Sequence, residues 1–245
     1  MEGDIALMTR AVRNASQFLL RDYYELEHLQ NSTKSTINFC NKSCQKVLSK
    51  LQENLSKYFK HIIFDKDEVK GITITDKTIL VEIMDGFENF SRAIPNFAIM
   101  VTLMCKKGGK IYADKSVINF PATGEMIRVE KGQGVILERY DSNVGNLKLK
   151  MSQTSQLSDV IISVDKDCLS EVRSFDNFRF YNAPLFSIYQ LVAGKIDLVI
   201  TKVNHITFEG IKLFIEEAGG KILVRQDKLI ASNLPLSQKT ELIAL

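Results

Sequence analysis

Ile5, Met8, Val12, Ala15 and Leu19 recur at steps of three and four residues, and Cys44, Val47, Leu48, Leu51 and Leu55 repeat the pattern. Each stripe is one apolar face of an amphipathic helix. Only a short polar stretch, residues 31–36 (NSTKST), lies between them. Two long helices joined so closely are predicted to pack antiparallel. From His61 the texture changes to short runs rich in branched residues: 61–64, 78–81 and 98–104. These read as buried strands. A charged loop, 65–76, separates the first two, and Pro121, Gly124, Gly132 and Gly134 punctuate a region of shorter strands. In the last third, 158–164 and 196–200 read as strands. Pro184 suits the first turn of a helix closed by Gly194, and 208–218 reads as a helix ended by Gly219 and Gly220. Strand–helix alternation of this kind predicts a layered α/β protein.

The 245 residues, 45% of them hydrophobic, are ample for a large core. Two halves, 1–150 and 151–245, are expected to form one compact unit. A formal net charge of +3 is too weak to argue for nucleic-acid binding. The Lys106-Lys107 pair reads as a solvated turn. Cys40, Cys44, Cys105 and Cys168 include no CxxC pair, and the three histidines (His28, His61, His205) show no ligand spacing. Buried reduced thiols are therefore expected. Residues 1–15 lack a basic start followed by an apolar run, and the most apolar stretch, 97–105, is too short to span a bilayer. The expected location is the cytoplasm, with no membrane association.

The stretch that carries chemistry is 81–90, VEIMDGFENF. A strand delivers Glu82 and Asp85 at its exit, Gly86 lets the backbone turn, and the next residues can open a helix. Two carboxylates at a strand exit suit a hard divalent cation, and free N–H groups at a helix start suit a phosphate. An ordinary acidic turn fits the same residues.

Glu82 to Phe90 also fall in order on the pattern D-P-[IL]-D-G-T-x-N-F, and Ile94, Pro95, Phe97 and Ala98 follow at the right distance. Residues 124–134 (GEMIRVEKGQG), 191–197 (LVAGKID) and 216–220 (EEAGG) continue the match. In these segments the chain resembles the inositol monophosphatase family, which includes the bacterial extragenic suppressor SuhB. The resemblance implies a layered α-β-α-β-α sandwich and magnesium-dependent hydrolysis of a phosphate monoester, such as an inositol phosphate or related sugar phosphate. It also implies a homodimer. Glu82, Asp85, the Met84 backbone carbonyl and Asp67 would hold Mg2+. Asp67 or Glu68, in the acidic run Asp65 to Glu68, would activate water. The backbone N–H groups of Gly86 and Phe87 would take the phosphate.

The departures matter as much as the match. The family's first motif Asp is Glu82, its water-positioning Thr is Phe87, and the Asp that orients that Thr is Asn41. Its last metal ligand, the Asp of a W-D pair, is Thr207, a residue that could still serve as a neutral N-cap. The G-S-A-A stretch that helps hold substrate is Asn182-Ala183-Pro184-Leu185. Weak or lost activity is expected, because magnesium dehydrates reluctantly and depends on ligand charge and near-octahedral geometry. The alternative is a non-catalytic, SuhB-like regulatory protein with a transcription- or RNA-associated protein partner. A site shifted onto Glu88 or Glu209 is a third reading.

Overall fold

The computed structural model describes residues 3–28, 33–65, 74–140, 145–172, 176–225 and 228–238. Helices α1 (Asp4–His28) and α2 (Thr33–Leu55) form the first layer. They run antiparallel: late α1 meets early α2 where Ser43 donates to Asp22, and early α1 meets the end of α2 where Arg10 donates to the Tyr58 hydroxyl. Their facing stripes, from Met8 to Leu26 and from Cys40 to Leu55, are buried in one cluster.

Asp22 is fully buried in this helix pair. It accepts from Arg21 at 2.8 Å, Ser43 at 2.7 Å and Lys46 at 3.2 Å. Burial alone would raise its pKa. The bonds from Ser43, Arg21 and Lys46 outweigh burial and hold it below the usual carboxylate range. Because the folded-state value is depressed, this contribution is present at neutral pH and is lost as pH falls through the acid range. Asp22→Ala is expected to cost about 2–3 kcal/mol, read by urea unfolding at pH 7.

A seven-stranded sheet follows, in the order β1 (Ile62–Phe64), β2 (Lys77–Asp85), β3 (Ala98–Lys107), β4 (Lys110–Phe120), β5 (Glu125–Glu130), β6 (Gly134–Arg139) and β7 (Leu147–Leu149). Only β1 and β2 pair in parallel; the others form an antiparallel meander. A single-turn helix, α3 (Phe87–Phe90), follows β2. Strand side chains alternate between faces. In β3, Ile99, Val101 and Leu103 enter the cluster under α1 and α2, while Ala98, Met100 and Met104 enter the cluster on the other face. A strand covered on both faces has no use for polar alternation, which is why 98–104 is nearly continuously apolar.

The second sheet has the order β11 (Gly220–Arg225), β12 (Lys228–Asn233), β10 (Leu198–Lys202), β8 (Ile162–Val164) and β9 (Phe178–Arg179). Between the sheets lie α4 (Pro184–Val192) and α5 (Phe208–Glu217). Helix α4 packs on β10, and α5 touches β3 to β6 on one side and β11 on the other. A third core cluster, with Val160, Ile162, Leu198, Ile200, Cys168 and Leu236, lies on the outer face of the second sheet. The 3-10 segment Lys166–Val172 and the short helix α6 (Leu234–Ser237) pack there. The layers therefore read α-β-α-β-α, as the resemblance implies.

Local expectations shift in four places. Residues 158–164 are not one strand: Leu157–Asp159 form a 3-10 turn and only Ile162–Val164 pair. The carboxylate of Asp197 accepts from the Ile161 N–H and the Ser152 hydroxyl. That junction holds residues 196–197 out of the ladder, so β10 begins at Leu198, two residues late. Cys105 is half-buried, unlike the other three free thiols. Lys106 and Lys107 are exposed but still belong to β3; the turn itself is Gly108-Gly109, both at positive φ.

Candidate functional site

Glu82 and Asp85 are three residues apart. In a regular strand that spacing sends side chains to opposite faces. The ladder between β2 and β3 slips here: Glu82 faces Met100, but Asp85 faces Ala98. One extra residue on β2 makes a bulge, which turns both carboxylates to the same side. They line a cavity of about 120 Å³ with Met84, Gly86, Pro184, Leu185, Lys202, Val203, Asn204 and Thr207. Gly86 leaves the strand in the left-handed region, at φ 76°. The motif's Asn89 is buried, and its amide donates at 2.8 Å to the carbonyls of Asn96 and Tyr181. It ties the turn to the segment that precedes α4.

Each carboxylate already has a partner from the far half of the chain. Pro184 opens α4 as expected, and Leu185 presents the first unsatisfied N–H of that helix. Asp85 Oδ2 accepts it at 2.9 Å. Asp85 is therefore the cap of α4, supplied across 100 residues of sequence. Glu82 Oε2 accepts from the Asn204 side-chain amide at 2.8 Å. Asn204 Oδ1 in turn accepts from the N–H groups of Ile206 and Thr207, both at 2.9 Å. Thr207 sits at the N-cap position of α5 but makes no side-chain cap. Its φ and ψ of −88° and −23° are helical, and its hydroxyl turns back to Asn204. The expectation of Thr207 as a cap is thus corrected: Asn204 holds the start of α5.

The acid groups crowd one another. Burial, then the neighbouring Asp65 carboxyl, push Glu82 well above the ordinary carboxylate range, against the pull of the Asn204 amide; Asp85 adds to the rise. Burial raises Asp85 to about 7, with the Leu185 N–H opposing and Asp165 contributing. Asp165 is itself raised by burial, against hydrogen bonds from Thr201 and the Lys202 backbone. For Asp85 the folded value lies above the unfolded one. Between about pH 4 and 7 the unfolded chain has released this proton while the folded chain keeps it, so stability falls as pH rises. In chelator, raising the pH from 4 to 7 is expected to cost the wild type on the order of 3 kcal/mol more than Asp85→Asn, which keeps an acceptor for Leu185. Parallel urea curves for the two proteins across this range would refute it.

The remaining sequence candidates lie elsewhere. Asp67 and Glu68 lie outside the described residues. Asp65, which precedes them, is the acid placed against Glu82. Asn41 is exposed on α2 and does not line the cavity. The Phe87 side chain packs against the cluster under α1 and α2. Glu88 bonds the Asn182 amide at 2.8 Å and faces Lys166 at 3.9 Å; neither it nor Glu209 lines the cavity. Among the described residues no three His, Cys, Asp or Glu groups come together in a way that could hold a metal ion. The donor set explains this: Glu82 and Asp85 are committed to Asn204 and Leu185, and Thr207 brings no charge. Two lining groups escaped the sequence reading, Lys202 and Asn204. The N-x-x-T spacing of Asn204 and Thr207 is a recognisable Asx-type turn signal. Its bond to Glu82, 122 residues away, leaves no local trace.

Fold and site together define an inositol monophosphatase-like sandwich with an altered ligand set. No family model matches the chain. An inositol-1-monophosphatase of Caulobacter vibrioides is 27% identical over 94% of this chain and 96% of its own length. One from Rhizobium meliloti is 31% identical over 64% of this chain and 55% of its own. Nus factor SuhB of Escherichia coli K12 is 23% identical over 57% of this chain and 52% of its own. The crystal structure of extragenic suppressor protein suhB from Bartonella henselae superposes with a TM-score of 0.78 at 21% identity, covering 100% of this chain and 99% of that one. That likeness establishes the fold. The sequence matches run the same way, the chain being similar to an inositol-1-monophosphatase over 94% of its length.

Proposed function

We propose that this chain is a family member that has left magnesium-dependent phosphate ester hydrolysis and acts as a non-catalytic binding protein. The observation that carries the reading is the state of Glu82 and Thr207. Where the resemblance calls for two metal-binding carboxylates, one is held by an amide and the other is a neutral hydroxyl turned toward the same residue. The residues present do not fit Mg2+: Asn204 takes one oxygen of Glu82, Leu185 takes one of Asp85, and Thr207 adds no charge. Phe87 removes the hydroxyl that would place water.

The binding role draws on the relatives. One that matches over more than half of this chain bears the name Nus factor SuhB, a name that is not that of a phosphatase. A transcription- or RNA-associated protein is accordingly the proposed partner, with the homodimer and cytoplasmic location of the same reading. Among the described residues no helix is long and apolar enough to cross a membrane. The test is magnesium calorimetry on chelator-stripped protein with phosphate release from inositol 1-phosphate in the same buffer. Millimolar or tighter binding with turnover would restore the phosphatase reading. Heat from inositol 1-phosphate without turnover would add an anion site at the Gly86 turn.

A further inference from the structure

We propose that Asn204 is a positioning residue that does with one amide what a metal ion does in a liganded site: it fixes β2 to the start of α5. This rests on the reading that the site has left metal catalysis, and it goes further by assigning the group that replaced the cation.

A divalent cation between two elements gathers oxygens from both, so it holds the elements together as well as serving chemistry. Here the two elements are the exit of β2, in the first sheet, and the loop from β10 to α5, beside the second. Glu82 belongs to one and Asn204 to the other. A carboxamide has a donor end and an acceptor end. The donor end of Asn204 meets Glu82, and the acceptor end meets two of the N–H groups that every helix start leaves unpaired. No other side chain of this size fits both ends. Aspartate could hold the N–H groups but would face Glu82 as a second acid. Lysine could pair with Glu82 but could not accept from α5. Leucine would leave Glu82, 7% exposed, and both N–H groups without these bonds.

Position 207 completes the argument. The aligned metal-binding aspartate would stand there, and Thr207 instead donates its hydroxyl to Asn204. Loss of charge at 207 and an amide at 204 are one arrangement: the neutral hydroxyl supports the residue that has taken over the clasp.

The experiment is thermal melting of the whole chain in chelator and in millimolar magnesium. Wild type should melt at the same temperature in both. Asn204→Ala should melt about 5–10 °C lower in both, the size expected for a lost cap plus a lost bond to a buried carboxyl. Asn204→Asp should melt low in chelator and recover in magnesium, because a further acid beside Glu82 recreates a need for a cation. An Asn204→Ala protein that melts with wild type overturns the clasp. So does a wild type stabilised by magnesium. Failure of magnesium to rescue Asn204→Asp makes the amide an ordinary cap and overturns its role as the replacement.

If the variants do not fold, hydrogen exchange on wild type decides. The Ile206 and Thr207 amides should be protected equally with and without magnesium, and fast exchange in chelator refutes the clasp. Turnover on inositol 1-phosphate reads the loss of catalysis separately: a chain that turns over but melts as described fails the first reading alone.

Discussion

Phosphate release from inositol 1-phosphate is expected to run on the order of 10⁴-fold or more below that of a family member with the full set of ligands, and millimolar magnesium should not change it. Three departures converge on this. Glu82 carries its charge one methylene further out than aspartate, and a misplacement of about 1 Å alone costs on the order of 100-fold. Phe87 packs against the core cluster under α1 and α2, with no hydroxyl to place water. Thr207 is neutral and bonded to Asn204. Groups that act as a unit lose most of their effect once one is gone, so these factors do not simply multiply. Reversal tests the assignment. Glu82→Asp, Phe87→Thr, Asn41→Asp and Thr207→Asp together should raise magnesium-dependent turnover by at least about 100-fold. No gain in a folded variant would show that these four positions are not the ones that separate this chain from an active site.

Gly86→Ala is expected to destabilise the protein by about 3–5 kcal/mol, lowering the melting temperature by roughly 10 °C. Two effects add. Residue 86 holds φ at 76°, where a Cβ costs roughly 1–2 kcal/mol. That Cβ would also run into the Asn96 carbonyl oxygen, with the Ala183 side chain and the Phe97 backbone both 3.2 Å away. The obstruction is backbone, held by the Asn89 amide at 2.8 Å, so it cannot swing aside as a flexible side chain would. Differential scanning calorimetry reads the shift. A loss under about 1 kcal/mol would mean that the turn after β2 is loose, and the placement of Asp85 with it.

Much of the fold was legible because its causes are local. The stripes of α1 and α2 repeat at helical spacing, the run in β3 is apolar because both faces are covered, and Pro184 and Gly194 bracket α4. Asp159 and Asp197 were less legible. Their segments carry strand-like composition, but Asp159 closes a 3-10 turn and the Asp197 carboxylate takes the Ile161 N–H from another segment, so neither joins a ladder. At the site, Glu82, Asp85 and Gly86 were found from the motif alone. Of the acidic run, Asp65 is the described member and it meets Glu82; Asp67 and Glu68 lie outside the described residues.

The sequence by itself determined the order and kind of the layers, the turn that carries the two carboxylates, and the loss of charge at 207 and of a hydroxyl at 87. Those features are written in residue identity and in periods of two and 3.6, which neighbouring residues share. Tertiary structure decided what the carboxylates do. The bulge that turns Glu82 and Asp85 to one side depends on pairing with β3. Their partners come from 122 and 100 residues away, once α4 and α5 have been pressed between the sheets. A helix start leaves its N–H groups unpaired wherever it lies. Packing alone brought these two starts against acids.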